Sequence, residues 1–183
     1  LGNLWGWDGG HIVVDSGGSL TAGSLVMGSA LKDSTPSTFT NRSGGTVAFS
    51  GDFSLLDGVS SVFSGGAMSV GSLTSTAGGT GVLNIHGGTF TAGNIRGMDL
   101  SAGSGFTIDI RNGGVFRVTA SSQADADELN HLHQTVGSIT SDEPLFAVYD
   151  LRTDMTTLGP ATALDLDPPT PNPAGFASAP IAI

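Results

Sequence analysis

The sequence contains no cysteine and few basic residues. Of its 183 residues only 6 are Lys or Arg, against 16 Asp and Glu, which gives a formal net charge of −10. The absence of cysteine excludes disulfide bonds and thiolate metal sites. The shortage of positive charge argues against a nucleic-acid partner. No apolar run reaches the roughly 18 residues of a membrane-spanning helix, so we expect neither nucleic-acid binding nor membrane insertion.

Glycine is the residue that the chain has in excess. There are 29 Gly, while charged residues make up 12% and hydrophobic residues 38% of the sequence. This apolar fraction is too high for a charged disordered chain. An acidic, Lys-poor, Gly-, Ser- and Thr-rich composition favours a secreted protein in the extracellular space or at the cell surface. Because the first residue is Leu1 rather than Met, we expect a mature product after signal removal, or a fragment.

A nine-residue pattern recurs along the chain, in GGSLTAGSL (17–25), GGAMSVGSL (65–73) and GGTFTAGNI (87–95). With two weaker copies, Gly–Gly pairs begin at positions 17, 44, 65, 87 and 113. Spacings of 21 to 27 residues are typical of a solenoid. The residues three and five positions after each start are apolar, and polar or small residues mostly separate them. The first column is Leu20, Val47, Met68, Phe90 and Phe116, and the second is Ala22, Phe49, Val70, Ala92 and Val118.

This alternation is the period of a β-strand with one buried face, and a Gly pair suits a corner whose dihedral angles a Cβ disfavours. One such repeat cannot bury its own apolar face, whereas stacked copies can. The sequence therefore predicts an all-β fold, a parallel β-helix (β-solenoid) of about five coils over residues 1–120. The two apolar columns should form continuous buried lines.

The remaining chain has a different character. Residues 121–158 lose the glycine pattern, and SSQADADELNHLHQTV predicts a short capping helix at about 123–134. Strands near 145–149 and 156–158 should follow and close one end of the stack, since an uncovered last coil exposes unpaired backbone groups. Residues 159–183 hold six of the eight Pro and predict an extended, Pro-rich C-terminal arm or tail.

Bulky apolar residues near both ends are candidate subunit or ligand contacts. Trp5 and Trp7 share one face of a strand, where they either cap the open end of the stack or contact a neighbouring subunit or a sugar ring. The arm offers Phe176, Ile181 and Ile183 as apolar contacts, to its own rod or to the next subunit.

One polar stripe deserves comparison with carbohydrate-cleaving β-helix enzymes. Asp109 and Arg111 precede a corner, and Asn84 and His86 occupy the similar place one coil earlier. A carboxylate on such a stripe could serve proton transfer or calcium binding. Since paired acids on adjacent coils are missing, the sequence favours an outward polar face with a weak surface ion pair. We expect no catalytic residues and no enzyme activity.

No pattern predicts a metal or a cofactor. His131 and His133 alternate, but the predicted helix places them on different faces. Asp8, Asp15, Asp125 and Asp127 could bind calcium, but the segment AGGTG (77–81) lacks the Asp that a calcium-binding nonapeptide repeat requires, so we expect no calcium at a repeat corner. A column of hydroxyl residues resembles the flat Thr face of ice-binding solenoids but is interrupted by Ala and by Arg117. It comprises Ser19, Thr21, Thr46, Ser69, Thr89 and Thr91. No phosphate loop, dinucleotide fingerprint or GxSxG elbow occurs.

The units GGSLTAGSL, GGAMSVGSL and VLNIHGGTFTAGNI resemble the Gly-rich strand repeats of secreted bacterial surface proteins. Two groups share this style, the passenger regions of autotransporters and the large repeat proteins of the PEP-CTERM type. The resemblance covers about residues 9–120 and implies an extracellular parallel β-helix that serves as adhesin, stalk or matrix.

Together these features predict a secreted structural subunit that self-associates, as a homo-oligomer or homopolymer, into an extracellular filament or surface assembly. The first alternative is a carbohydrate-binding adhesin domain that grips a surface polysaccharide through Trp5, Trp7 or the hydroxyl face. The second is a polysaccharide-cleaving β-helix enzyme, which would need acids clustered on adjacent coils.

Overall fold

The fold is all-β. The computed structural model describes residues 1–6, 9–28, 37–56, 60–75, 81–93, 107–119, 139–150, 155–160, 163–164 and 181–182, and these contain sixteen strands and no helix. The strands are β1 (Asn3–Gly6), β2 (His11–Val14), β3 (Ser19–Ala22), β4 (Ser24–Met27), β5 (Thr38–Arg42), β6 (Thr46–Leu55), β7 (Ser60–Ser64), β8 (Ala67–Ser75), β9 (Val82–His86), β10 (Thr89–Ala92), β11 (Thr107–Arg111), β12 (Val115–Thr119), β13 (Ile139–Ser141), β14 (Leu145–Asp150), β15 (Met155–Pro160) and β16 (Ile181–Ala182).

The strands form two sheets that the chain visits in turn. The smaller sheet has the order β2-β5-β7-β9-β11-β13, and all its pairs are parallel. The larger sheet has the order β1-β4-β6-β8-β10-β12-β15-β14-β16, with β3 also paired to β6. It is parallel as far as β12 and antiparallel beyond it. Because each coil contributes one segment to each sheet, the architecture is a parallel β-solenoid.

The predicted apolar columns are confirmed as buried lines in register. Leu20 pairs with Val47, and the register continues through Met68 and Phe90 to Phe116. The last four of these side chains are at most 2% exposed. The second column, from Ala22 to Val118, is in register and buried as well. Both columns belong to one hydrophobic core cluster, in which Phe90 stacks on Phe116 one rung away with 5.9 Å between the ring centroids.

Glycine pairs form the corners between the two sheets, as the sequence predicts. The first Gly of each of the five pairs has a positive φ, from +72° to +102°. Gly66 shows why the second position matters, because a Cβ built there would collide with the carbonyl oxygen of Gly45. That close approach lets the corner carbonyls join adjacent coils, since Gly66 O accepts a hydrogen bond from Thr89 N at 3.0 Å.

The solenoid has about three turns rather than five. Three successive coils, β5–β6, β7–β8 and β9–β10, have parallel neighbours on both sides in both sheets. The coil before them lies at the edge of the smaller sheet, and the coil after them is covered by the antiparallel strand β15. The predicted count of five equivalent coils is therefore not supported, because the first and last Gly–Gly repeats belong to the ends of the stack.

The predicted capping helix is not supported either. Its segment, 123–134, lies outside the described residues, and the described residues that follow it are strands. The smaller sheet ends with β13, and the larger sheet ends with β15, β14 and β16. The strands expected near 145–149 and 156–158 are confirmed as β14 and β15. Together β13 to β16 cover the last coil, and we call this side of the stack the closed end.

Part of the Pro-rich arm contributes to the closed end. Gly159 and Pro160 complete β15, and Ile181 and Ala182 form β16, which pairs antiparallel with β14. Within the last part of the arm, the described residues Ile181 and Ala182 thus lie along the chain's own rod. None of the described residues belongs to a helix long and apolar enough to cross a membrane.

Candidate functional site

The smaller sheet carries the predicted polar stripe on its outer face. Strands β9 and β11 are parallel neighbours, and their register places Asp109 beside Asn84 and Arg111 beside His86. Ile108 and Ile110 alternate with these polar residues and point into the core, where both are fully buried. The alternation that buries one face of β11 therefore brings the polar side chains together on the other.

Asp109 is the centre of a hydrogen-bonded group that also contains His86, Arg111 and Thr140, and we call it the Asp109 cluster. Thr140 Oγ1 donates to Asp109 Oδ1 at 2.8 Å, and Arg111 Nε donates to Oδ2 at 2.6 Å. His86 Nε2 lies 3.4 Å from the same Oδ2. Because Thr140 belongs to β13, the carboxylate connects three successive strands of the smaller sheet.

The Asp109 carboxylate is shielded from water and ionised. Its side chain is only 12% exposed, whereas that of Arg111 is 50% exposed. Burial alone would raise the pKa of Asp109, but hydrogen bonds from Thr140, Arg111 and His86, together with the positive charge of Arg111, outweigh burial and lower this pKa below its ordinary value of 3.8. In return, hydrogen bonding to Asp109 raises the pKa of Arg111.

This geometry suits a structural role, in which the carboxylate joins neighbouring strands by hydrogen bonds, better than acid–base chemistry. Both oxygens of Asp109 already accept hydrogen bonds from the protein, and a lowered pKa makes this carboxyl a poor proton donor at neutral pH. The sequence favoured a weak, solvated ion pair at this stripe. The structure corrects that expectation in one respect, since the acid is buried and also bonded to a third strand.

The other polar candidates that the structure describes do not assemble into a site. Asp15 forms an exposed ion pair with Arg42, at 2.5 Å between Oδ1 and Nη1. Asp8, Asp125, Asp127, His131 and His133 lie outside the described residues. Within the described ranges, no group of three or more His, Asp or Glu side chains is placed to hold a metal ion.

The hydroxyl residues lie on the outer face of the larger sheet in two columns in register. Ser19, Thr46 and Thr89 lie in one column with Ala67, and Thr21, Ser69 and Thr91 lie in the other with Ala48. Arg117 is in register with Thr91 and ends the second column. This face is an ordinary solvated strand surface, composed of the short side chains that strands favour.

The most distinctive surface lies at the first coil. All large hydrophobic side chains that are exposed within the described residues belong to the first thirteen positions, namely Leu1 at 82%, Trp5 at 59% and Val13 at 49%. Three inward-facing residues of the same region, Leu4, Ile12 and Leu20, are only partly buried against the core. We call these six residues the open end.

The open end exists because the stack has a first rung. Among the described strands, β2 pairs only with β5 and β3 pairs only with β6. Leu20 and Ile12 occupy the same columns as Phe116 and Ile108, which are fully buried because strands cover them on both sides. At the closed end, by contrast, Ile139, Leu145 and Leu158 are buried to within 2% exposure.

The structure describes two of the five predicted contact residues, and they lie at opposite ends of the stack. Trp5 lies at the open end, and Ile181 lies in β16 at the closed end. Trp7, Phe176 and Ile183 lie outside the described residues. Sequence reasoning missed Val13, although its position between Ile12 and Val14 breaks the alternation and puts an apolar residue on the outer face. It also missed Thr140, which no repeat spacing connects to Asp109.

Comparisons of this chain with protein-family models, with curated proteins and with solved structures found no match.

Proposed function

We propose that the protein is a structural subunit of an extracellular assembly and that it self-associates through the open end of its β-solenoid. The observation that carries this proposal is the concentration of exposed apolar side chains on one coil, next to strands with a single described neighbour. Edge strands with apolar side chains are templates for pairing with another chain. Secretion is part of the proposal and is supported by the acidic, Lys-poor composition.

The distribution of charge also favours the open end as the interface between copies. The chain carries a net charge of −10, so copies repel one another over most approaches. The described carboxylate near the first coil is Asp15, and it forms an ion pair with Arg42. An interface between copies at the open end can therefore bury apolar surface without burying an unpaired described carboxylate, which would be costly.

The test is the dependence of association on concentration, measured by analytical ultracentrifugation of the wild type and of Val13→Lys. A charged side chain on an edge strand blocks pairing. We expect Val13→Lys to raise the apparent Kd at least about tenfold, equivalent to about 1.4 kcal/mol. Ser69→Lys is the matched control, because Ser69 is exposed on a strand with neighbours on both sides. A wild type that stays monomeric at high concentration refutes the proposal.

A second candidate function is carbohydrate binding, and the exposed Trp5 ring favours it. Trp5 is 59% exposed, and an exposed aromatic ring can stack on a sugar ring. A glycan array distinguishes this function from self-association. Binding by the monomer that is lost in Trp5→Ala but kept in Val13→Lys would support carbohydrate recognition.

A further inference from the structure

We infer that two copies of the chain associate open end to open end, across a two-fold axis, rather than head to tail. This inference rests on the proposed function and specifies its geometry. Three observations lead to it: the difference in shape between the two ends, the distribution of charge, and the identity of the strands that remain at the edges.

The shape of the closed end opposes head-to-tail stacking. Beyond the last coil the smaller sheet adds one strand, β13, whereas the larger sheet adds three, β15, β14 and β16. The larger sheet therefore projects further by two strands, about 10 Å at the usual strand spacing of about 4.8 Å. A second copy that continued the smaller sheet from β13 would have to place its own β3 where β14 already lies.

The charges oppose the closed end as well. Asp142 and Glu143 are exposed in the turn between β13 and β14. A partner seated there would remove two carboxylates from water, and neither forms an ion pair within the described residues. At the open end, the described carboxylate Asp15 is neutralised by Arg42. As far as the described carboxylates are concerned, apposition of two open ends thus involves the lower desolvation cost.

The edge strands of the open end are β2 in the smaller sheet and β1 and β3 in the larger sheet, and they suit a two-fold arrangement. When two identical edges meet across a two-fold axis, their strands run antiparallel, which is a favourable pairing for β-strands. The partly buried, inward-facing residues Leu4, Ile12 and Leu20 of each copy would then cover those of the other, and Val13, on the outer face of the edge strand β2, would lie beside the partner's edge strand, so the surface is its own complement. Such an interface closes after two copies, and the assembly unit becomes a double-length rod with a closed end at each tip.

Engineered cysteines test how the two copies are oriented. No native thiol can react with the cross-linker, because the chain has no cysteine of its own. Val13→Cys and Leu1→Cys each place a thiol at the open end on an exposed side chain, and Glu143→Cys places one at the closed end. Ser69→Cys, on the exposed face between the ends, reports chance collisions. Each variant is treated with a short homobifunctional maleimide, alone and in pairwise mixtures, after circular dichroism has shown that it is folded.

We expect Val13→Cys and Leu1→Cys to form covalent homodimers at least about tenfold faster than Ser69→Cys. In a specific complex the effective thiol concentration is in the millimolar range, rather than that of free chains. Glu143→Cys should react no faster than Ser69→Cys. Products are identified by intact-protein mass spectrometry.

Two outcomes would overturn the inference while leaving self-association intact. Preferential Val13→Cys to Glu143→Cys heterodimers would mean head-to-tail stacking, and rapid Glu143→Cys homodimers would mean that closed ends meet. If the wild-type chain shows no concentration-dependent association at all, the proposed function fails, and the orientation fails with it.

Discussion

Replacement of Asp109 by Asn tests whether the buried carboxylate stabilises the solenoid. The substitution keeps the shape of the side chain and one carbonyl oxygen, which can still accept the hydrogen bond from Thr140. It places an amide NH2 group against Arg111 Nε, so that two donors face each other where an acceptor is needed. A loss of stability therefore reports the carboxylate charge and its hydrogen bonds rather than a cavity.

The expected magnitude follows from the three contacts of the carboxylate. A hydrogen bond to a charged group contributes roughly 1.5–3 kcal/mol when it is buried. The Thr140 contact, at 2.8 Å, is close to ideal, whereas the His86 contact, at 3.4 Å, is long and weak. The contribution of Arg111 is reduced by solvent, because this side chain is half exposed. We expect a loss of about 2 kcal/mol at neutral pH for Asp109→Asn.

The assay is thermal unfolding followed by circular dichroism. For a domain of this size, about 2 kcal/mol corresponds to a decrease in Tm of roughly 4–8 °C. Asp15→Asn is the matched control, since Asp15 also pairs with an Arg on the same sheet but has a side chain that is 72% exposed. Exposed pairs contribute roughly 0–1 kcal/mol, so its Tm should stay near that of the wild type.

The pH dependence of Tm gives an independent check. The folded-state pKa of Asp109 lies below 3.8, the ordinary value. A group with a lowered folded pKa contributes stability that is fully present above its unfolded pKa and is lost as the pH falls through the folded pKa. The Tm difference between wild type and Asp109→Asn should therefore be constant above about pH 5 and shrink below about pH 4. Equal Tm values at neutral pH, or a difference that persists unchanged in acid, would refute the stabilising role of the carboxylate.

Two further predictions concern the core and the corners. Phe90→Ala should cost about 3–5 kcal/mol in chemical denaturation, because Phe90 is fully buried in the aromatic stack. Its neighbour Thr91 faces outward, and Thr91→Ala should change stability by less than about 0.5 kcal/mol. A similar cost for both would contradict the assignment of faces. Gly66→Ala should destabilise by about 1–3 kcal/mol, measured as a lower denaturant midpoint, because φ is +89° and the new Cβ meets Gly45 O. Gly2→Ala, with no atom within 4 Å of the added Cβ, should be nearly neutral, and equal effects at both glycines would show that the corner is not strained.

The coils could be predicted from the sequence because their determinants are local and repeated. Alternation within four or five residues identifies the inward positions, and the Gly–Gly pair identifies the corner that precedes them. The register from Leu20 to Phe116 then follows from stacking equivalent positions. The stripe of Asn84, His86, Asp109 and Arg111 could be predicted for the same reason, since its members occupy equivalent positions in two adjacent coils.

The third strand of the Asp109 cluster could not be predicted in this way. Thr140 is 31 residues from Asp109 along the chain, and the intervening segment does not follow the repeat. Without a periodic spacing, no rule aligns β13 with β11 in advance. The burial of Asp109 was missed with it, because the donor that helps to shield the carboxylate comes from outside the repeat. The sequence therefore indicates a solvated stripe, whereas the folded chain buries Asp109 and bonds it to a third strand once β13 is in place.

The difference between the two ends is the feature of the fold that a repeat is least able to encode. Leu20 and Phe116 occupy equivalent positions in the pattern, yet Phe116 is fully buried and Leu20 is not. The cause is the number of neighbouring strands, since β12 lies between β10 and β15 whereas β3 pairs only with β6 among the described strands. Periodicity states which side of a strand faces the core, but it does not state whether another rung follows. The open end is therefore a property of the assembled stack. Among the described residues it is the surface with incompletely buried core positions that we propose a second copy of the chain covers, which is why both proposals depend on residues of the first coil rather than on the repeat itself.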